Sequence, residues 1–179
     1  MQNFPKISLF IGGASSGKSR QAERFVRQSG MAPVYLATAE PFDDEMTAKI
    51  ASHRARRDAT WRLIEEPIDL HQGFETLRTG EILLIDCLTM WLTNLMLAKL
   101  DIDREAAHLT RALSSANVPV VMVTNDVGAG GIAENALARR FQIEQGRLNQ
   151  KVAESADLVV SVTAGLPLVL KGCLPETGS

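Results

Sequence analysis

Lys18 and Ser19 close the run Gly12-Gly13-Ala14-Ser15-Ser16-Gly17-Lys18-Ser19, which satisfies G-x-x-x-x-G-K-[ST]. Glycines in this pattern let backbone N–H groups close around phosphate oxygens. The lysine adds a point charge near the β- and γ-phosphates, and the serine hydroxyl is suited to ligating Mg²⁺. A second chemical residue, Asp86, ends the apolar run Ile82-Leu83-Leu84-Ile85. An acid at the end of a buried strand has the Walker B form and holds Mg²⁺ through water, opposite the loop hydroxyl. Lys18, Ser19 and Asp86 together point to phosphoryl chemistry on a nucleoside triphosphate.

His53 lies in a basic stretch, His53-Arg54-Ala55-Arg56-Arg57, at the end of a helix expected from Glu45 to Arg57. Met46, Ile50, His53 and Arg57 share one helical stripe. Two readings fit His53 on spacing alone: a solvated residue that complements the helix dipole, or an imidazole nucleophile beside guanidiniums that grip a polyphosphate.

These residues need a frame, and hydrophobic patterning supplies one. Ile7 to Ile11 reads as a strand feeding the glycine loop, and a helix opens near Ser19 with its positive end toward the same anion. That helix runs to Gln28, where Ser29-Gly30 ends it. Pro33-Val34-Tyr35-Leu36-Ala37 is a buried strand leading into Thr38-Ala39. Ligands in open parallel sheets sit at carboxyl strand ends, so Ala37, Thr38 and Ala39 are candidates to line a nucleotide. Trp61 to Glu66 reads as a short strand stopped by Pro67, and Leu70 to Leu77 as a short helix. Leu88 to Leu97 is almost wholly apolar but too short to span a bilayer, so it is expected in the core or at a subunit interface. Asp103 to Ala116 patterns as an amphipathic helix with Ala106, Leu109 and Leu113 inward. Val120 to Thr124 is another buried strand, followed by the loop Asn125 to Gly131. Asn135 to Ala156 reads as a long helix with a break near Gly146. Leu158 to Val162 and Leu166 to Leu170 form two strands around Ala164-Gly165, an antiparallel finish, and Gly172 to Ser179 is expected to fray.

A chain of 179 residues suits one catalytic domain. Its 45 % hydrophobic and 22 % charged residues argue against disorder and a membrane span. A net charge of −2 with no long basic block argues against broad nucleic-acid binding. Cys87 and Cys173 have no metal-ligand spacing and suit a reduced, cytoplasmic chain. The N-terminus lacks the basic and apolar regions of an export signal.

The glycine loop, Asp44-Glu45-Met46, His53-x-x-x-Arg57, Trp61, Trp91-Leu92-Thr93-Asn94-Leu95, Asn125-Asp126-Val127-Gly128, Gly146-Arg147-Leu148-Asn149-Gln150 and Gly165-Leu166-Pro167 closely resemble the bifunctional adenosylcobinamide kinase/adenosylcobinamide-phosphate guanylyltransferase family. The resemblance covers Ile7 to about Gly172. It implies a RecA-like P-loop α/β fold, mostly parallel with an antiparallel C-terminal edge, often assembled as a trimer. It also implies ATP- or GTP-dependent phosphorylation of adenosylcobinamide, then GMP transfer from GTP to adenosylcobinamide phosphate. Family members carry GMP on a histidine, and the matching position is His53. By the same resemblance Ala37 to Ala39, Arg54, Ala55, Arg56, Arg57, Glu65 and Asp86 surround the guanine nucleotide. The family commonly has Arg at Ser15, Glu at Asp126, an apolar residue and Pro at Gly131 and Ala133, and Asp at Ile143.

Three other functions fit parts of the pattern. A P-loop kinase acting on another small molecule would leave His53 inert. A regulatory GTPase would use Asn125 to Gly128 as its N-K-x-D motif, but the Lys and the final Asp are missing. A DNA-dependent motor is disfavoured by size and by the lack of a basic stripe.

Overall fold

The computed structural model describes residues 4–40, 58–128 and 130–175. Short apolar runs form the strands β1 (Ile7–Gly12), β2 (Ala32–Ala37), β3 (Arg62–Glu65), β4 (Glu81–Asp86), β5 (Val120–Asn125), β6 (Leu158–Thr163) and β7 (Leu166–Lys171). They build a sheet ordered β3-β2-β4-β5-β1-β6-β7, parallel except for β7, which runs antiparallel to β6. The inner strands are buried on both sides, so their sequences are continuously apolar rather than alternating.

Alternate residues nevertheless go to different faces. Leu9, Val34, Leu36, Leu83, Ile85, Val120 and Met122 join one core cluster. Phe10, Tyr35, Ile82, Leu84, Val121, Val123 and Val160 join the other. Helix α1 (Lys18–Gln28) covers the second cluster with Ala22, Phe25 and Val26. The first cluster is covered by α2 (Leu70–Glu75), α3 (Leu88–Leu97), α4 (Ile102–Ser115) and α5 (Ala136–Ser155). Leu88, Trp91, Leu92 and Leu95 bury almost completely, which explains the apolar composition of α3. Ala106, Leu109 and Leu113 form the inner stripe of α4, as their spacing predicts.

Four boundaries differ from the sequence reading. Trp61 lies outside β3, edge-on to Tyr35 with ring centroids 6.2 Å apart. Helix α2 ends at Glu75 rather than Leu77. Helix α5 continues through Gly146 without a break, because Leu148 and Val152 hold its C-terminal half against the core. Gly172 has φ of 76°, and a side chain there would collide with the Asp157 carbonyl, so the start of the predicted tail is packed.

Candidate nucleotide site

The end of β1 fixes the glycine loop by close packing. A Cβ at Gly12 would strike the Val162 carbonyl oxygen and lie 2.6 Å from Ser16 Oγ. Gly17, in the left-handed region at φ 91°, caps α1 without a side-chain bond, leaving the first-turn N–H groups directed at the loop. No acidic residue stands in that turn to compete with an anion. Lys18 is buried, with its ammonium donating to Gly13 O at 3.0 Å, across the mouth of the loop. The loop is also clamped from above by the β6–β7 turn: Gly165 N–H donates to Ser16 O at 2.8 Å, and Gln21 Nε2 donates to Gly165 O at 2.6 Å.

Asp86 ends β4, separated from β1 by β5 alone, and is almost fully buried. Its Oδ2 accepts the Tyr35 hydroxyl at 3.1 Å. Burial and the adjacent Asp86 charge push the Cys87 thiol up to about 11, while the Lys18 ammonium pulls the other way. That thiol is therefore protonated at neutral pH and serves as apolar filling, not as a nucleophile. Ser19, one residue into α1, and Asp86 provide a hydroxyl and a carboxylate, the hard oxygen donors that Mg²⁺ takes.

Ala37, Glu65 and Asp86 stand in register across the carboxyl ends of β2, β3 and β4. Glu65 is exposed there. Thr38 is buried, and its hydroxyl donates to Cys87 O at 2.7 Å while accepting from Cys87 N at 2.9 Å. It ties β2 to β4, with its hydroxyl committed to backbone. Asn94 Nδ2 braces the same corner by donating to the carbonyls of Thr38 and Pro67. Ala39 follows at this edge, half-buried. His53, Arg54, Ala55, Arg56 and Arg57 lie outside the described residues.

The sequence reading missed a carboxamide stripe on α5. Gln145 Nε2 donates to Thr124 Oγ1 at 3.0 Å and to Asn149 Oδ1 at 2.9 Å, and Thr124 donates to that same oxygen at 2.7 Å. Asn149 Nδ2 donates to Asn125 O at 3.1 Å, and Thr89 Oγ1 accepts from Asn125 N at 2.8 Å. Gln142 Nε2 binds the carbonyls of Val127 and Gly131, and its Oε1 accepts from Ala133 N at 3.0 Å. The signal was available: Gln142, Gln145 and Asn149 recur at i, i+3 and i+7, one polar stripe on a helix that must pack. The bond from Ala133 also has a meaning for the family pattern, because a proline at this position has no N–H to give.

A glycine loop between strand and helix, a lysine across its mouth and an acid two strands away define a P-loop nucleotide-binding protein. The fold agrees with solved structures of very low identity. A Pyrococcus horikoshii OT3 protein aligns with TM-score 0.53 at 11 % identity, over 97 % of this chain and 89 % of its own. A type III secretion ATPase aligns with TM-score 0.57 at 10 % identity, over 92 % of this chain and 56 % of its own. The family model for cobinamide kinase / cobinamide phosphate guanyltransferase matches residues 8–170, and the chain belongs to that family of transferases. The bifunctional adenosylcobalamin biosynthesis protein CobP of Pseudomonas aeruginosa is 46 % identical over 92 % of this chain and 96 % of its own. CobU of Salmonella typhimurium is 37 % identical over 91 % and 98 %, respectively. Among the described residues no helix is long and apolar enough to cross a membrane.

Proposed function

We propose that this protein phosphorylates adenosylcobinamide with ATP or GTP and then transfers GMP from GTP to adenosylcobinamide phosphate. The observation that carries this reading is the meeting of Lys18, Ser19 and Asp86 at one sheet edge, within a chain that matches the family from residue 8 to residue 170. In the kinase half, the loop N–H groups of Gly13 to Ser19 and the Lys18 ammonium stabilise charge on the γ-phosphoryl as it moves. Ser19 and Asp86 would hold Mg²⁺, which when bound offsets phosphate charge; the Tyr35 hydroxyl orients the Asp86 carboxylate.

In the second half, neutral His53 attacks the GTP α-phosphate and pyrophosphate leaves. The oxygen of the cobinamide phosphate then displaces the imidazole. Arg54, Arg56 and Arg57 neutralise the phosphates, and Ala37 to Ala39 and Glu65 line the nucleoside. We place the reaction in the cytoplasm, without a nucleic-acid partner, in a homo-oligomer that the family resemblance makes a trimer. Assembly is supported by Leu166, Leu168 and Leu170, which are 72 %, 64 % and 60 % exposed at alternate positions of the outer strand β7.

The test is incubation with Mg²⁺ and α-labelled GTP, then denaturation and intact mass, for wild type beside His53→Ala. A GMP adduct that is acid-labile, alkali-stable and lost in the variant is expected. No adduct in either protein, with nucleotide binding intact, would reduce the activity to a small-molecule kinase.

A further inference from the structure

The run Trp91-Leu92-Thr93-Asn94-Leu95 divides its work within α3. Leu92 and Leu95 fill the core, whereas Trp91 and Asn94, three residues apart on one side of the helix, carry polar atoms into it and are each 2 % exposed. Asn94 Nδ2 donates to Thr38 O at 2.8 Å and to Pro67 O at 2.9 Å, so one amide nitrogen fastens the residue after β2 to the connection that follows β3. Trp91 Nε1 donates to the next carbonyl of that connection, Ile68 O, at 2.7 Å. The connection is closed from within as well: Glu66 N–H donates to Ala37 O at 3.0 Å, and Glu66 Oε1 accepts from the N–H groups of Ile68 and Asp69 at 3.2 and 3.0 Å. Glu65 stands immediately before it, at the end of a four-residue strand on the edge of the sheet. So short an edge strand fixes its own end poorly, and the bonds from α3 decide where Glu65 stands relative to Ala37 and Thr38.

We infer that Trp91 and Asn94 are positioning residues that set the guanine selectivity of this edge, by holding the Glu65 carboxylate at a fixed separation from Ala37 to Ala39. This rests on the function proposed above, in which these residues line the nucleoside. The N1–H and 2-amino N–H groups of guanine point the same way and match the two oxygens of one carboxylate. Adenine has a bare N1 at the corresponding place, which a carboxylate repels. Such a pair of bonds discriminates between bases only while the carboxylate is held still against the wall on which the base lies. Neither Trp91 nor Asn94 needs to touch the nucleotide to act in this way.

The experiment compares Trp91→Phe, Glu65→Gln and the double variant with the unsubstituted pair, all as full-length proteins. It measures adduct formation from GTP and from ITP, whose base lacks the 2-amino group, and the calorimetric affinity for both nucleotides in a His53→Ala background. Trp91→Phe keeps an aromatic ring in the core and removes only the donor to Ile68 O. It should raise the KM for GTP about 3- to 10-fold, and ITP should lose less, so that the preference for GTP over ITP shrinks about threefold. Kinase kcat and KM with ATP should stay near wild type. Glu65→Gln should shrink the preference further, and adding Trp91→Phe to it should change the preference no more, because the tryptophan acts through the carboxylate. Should Trp91→Phe not fold, Asn94→Leu, similar in size but without the Nδ2 donors, carries the same comparison. An unchanged preference, an equal rise in KM for GTP and ITP, or additive effects in the double variant would each overturn the inference. Should wild type form no GMP adduct, the proposed function fails on its own; the affinity ratio needs no transfer step, and an unchanged ratio in Trp91→Phe would still overturn the positioning role.

Discussion

On the face covered by α2 to α5, Thr89, Thr124, Gln145 and Asn149 direct their polar atoms at one another and at the end of β5. On the face covered by α1, Lys18 lies across its loop and Asp86 is held by the Tyr35 hydroxyl. The two groups meet at the same carboxyl edge, yet they differ in what their hydrogen bonds do. The first set is almost self-contained and fixes backbone; the second presents charge to the space above the strands. Substitutions on the two faces should therefore separate stability from turnover.

The largest effect belongs to Lys18. Lys18→Ala should lower phosphoryl transfer by roughly 10²-fold or more, as loss of a preorganised charge donor does elsewhere. Its melting temperature should change far less than its activity, since removing the buried ammonium also removes the cost of desolvating it. A stability loss matching the activity loss would erase the contrast between the faces.

Asn149→Ala tests the opposite face. It removes the acceptor of Thr124 and Gln145 and the donor to Asn125 O, leaving buried polar atoms without partners. The expected cost is roughly 2 to 3 kcal/mol, read by denaturant unfolding. Kinase and guanylyl-transfer rates should fall together, because the displaced strand end serves both. A selective kinase defect with wild-type stability would move Asn149 to the chemical side of the comparison.

Much of this arrangement was legible in the sequence where its cause is local. The glycine loop is contiguous, and its backbone requirements appear as Gly12 and Gly17. The buried parallel strands announce themselves as short apolar runs. What was not legible depends on register between distant strands: Tyr35 reaching Asp86, Gly165 clamping Ser16, and Thr38 spanning Cys87. Continuity of α5 through Gly146 was misread for a different reason. A helical glycine costs only about 1 kcal/mol, and the burial of Leu148 and Val152 exceeds that. The assignment proposed for His53 came from family resemblance, since spacing alone favoured a solvated histidine.

Away from the site, Arg62 and Glu81 allow a smaller test that should leave chemistry untouched. Arg62 donates to both oxygens of Glu81, at 3.0 and 2.7 Å, and joins β3 to β4 at the end opposite the nucleotide edge. The Arg62 guanidinium lowers the Glu81 carboxyl below its ordinary value, assisted by the Arg78 N–H. A depressed folded-state value stabilises the protein above the unfolded value near 4.5 and is lost as pH falls through the folded one. Glu81→Gln should therefore cost about 1 to 2 kcal/mol at pH 7, with the gap to wild type closing at acid pH and kcat unchanged. A gap independent of pH would assign the loss to packing rather than to charge.

The smallest effect concerns Cys87, whose thiol packs with the α1-face cluster while its backbone is held by Thr38. With the thiol pushed up to about 11, its thiolate is a fraction of order 10⁻³ at pH 8. Iodoacetamide at pH 8 should therefore modify the exposed Cys173 first and Cys87 far more slowly. In a Cys173→Ser protein, the Cys87 rate should rise about tenfold per pH unit toward pH 11. The linked stability has the opposite sign from that of Glu81: it is complete below the unfolded thiol value near 9.0 and is lost as pH rises toward 11. Because the Lys18 charge lowers this thiol, Lys18→Ala should slow Cys87 labelling further at fixed pH. Faster labelling in Lys18→Ala would mean that the lysine acts on Cys87 by covering it, and that the α1 face of this site is ordered by packing as much as by charge.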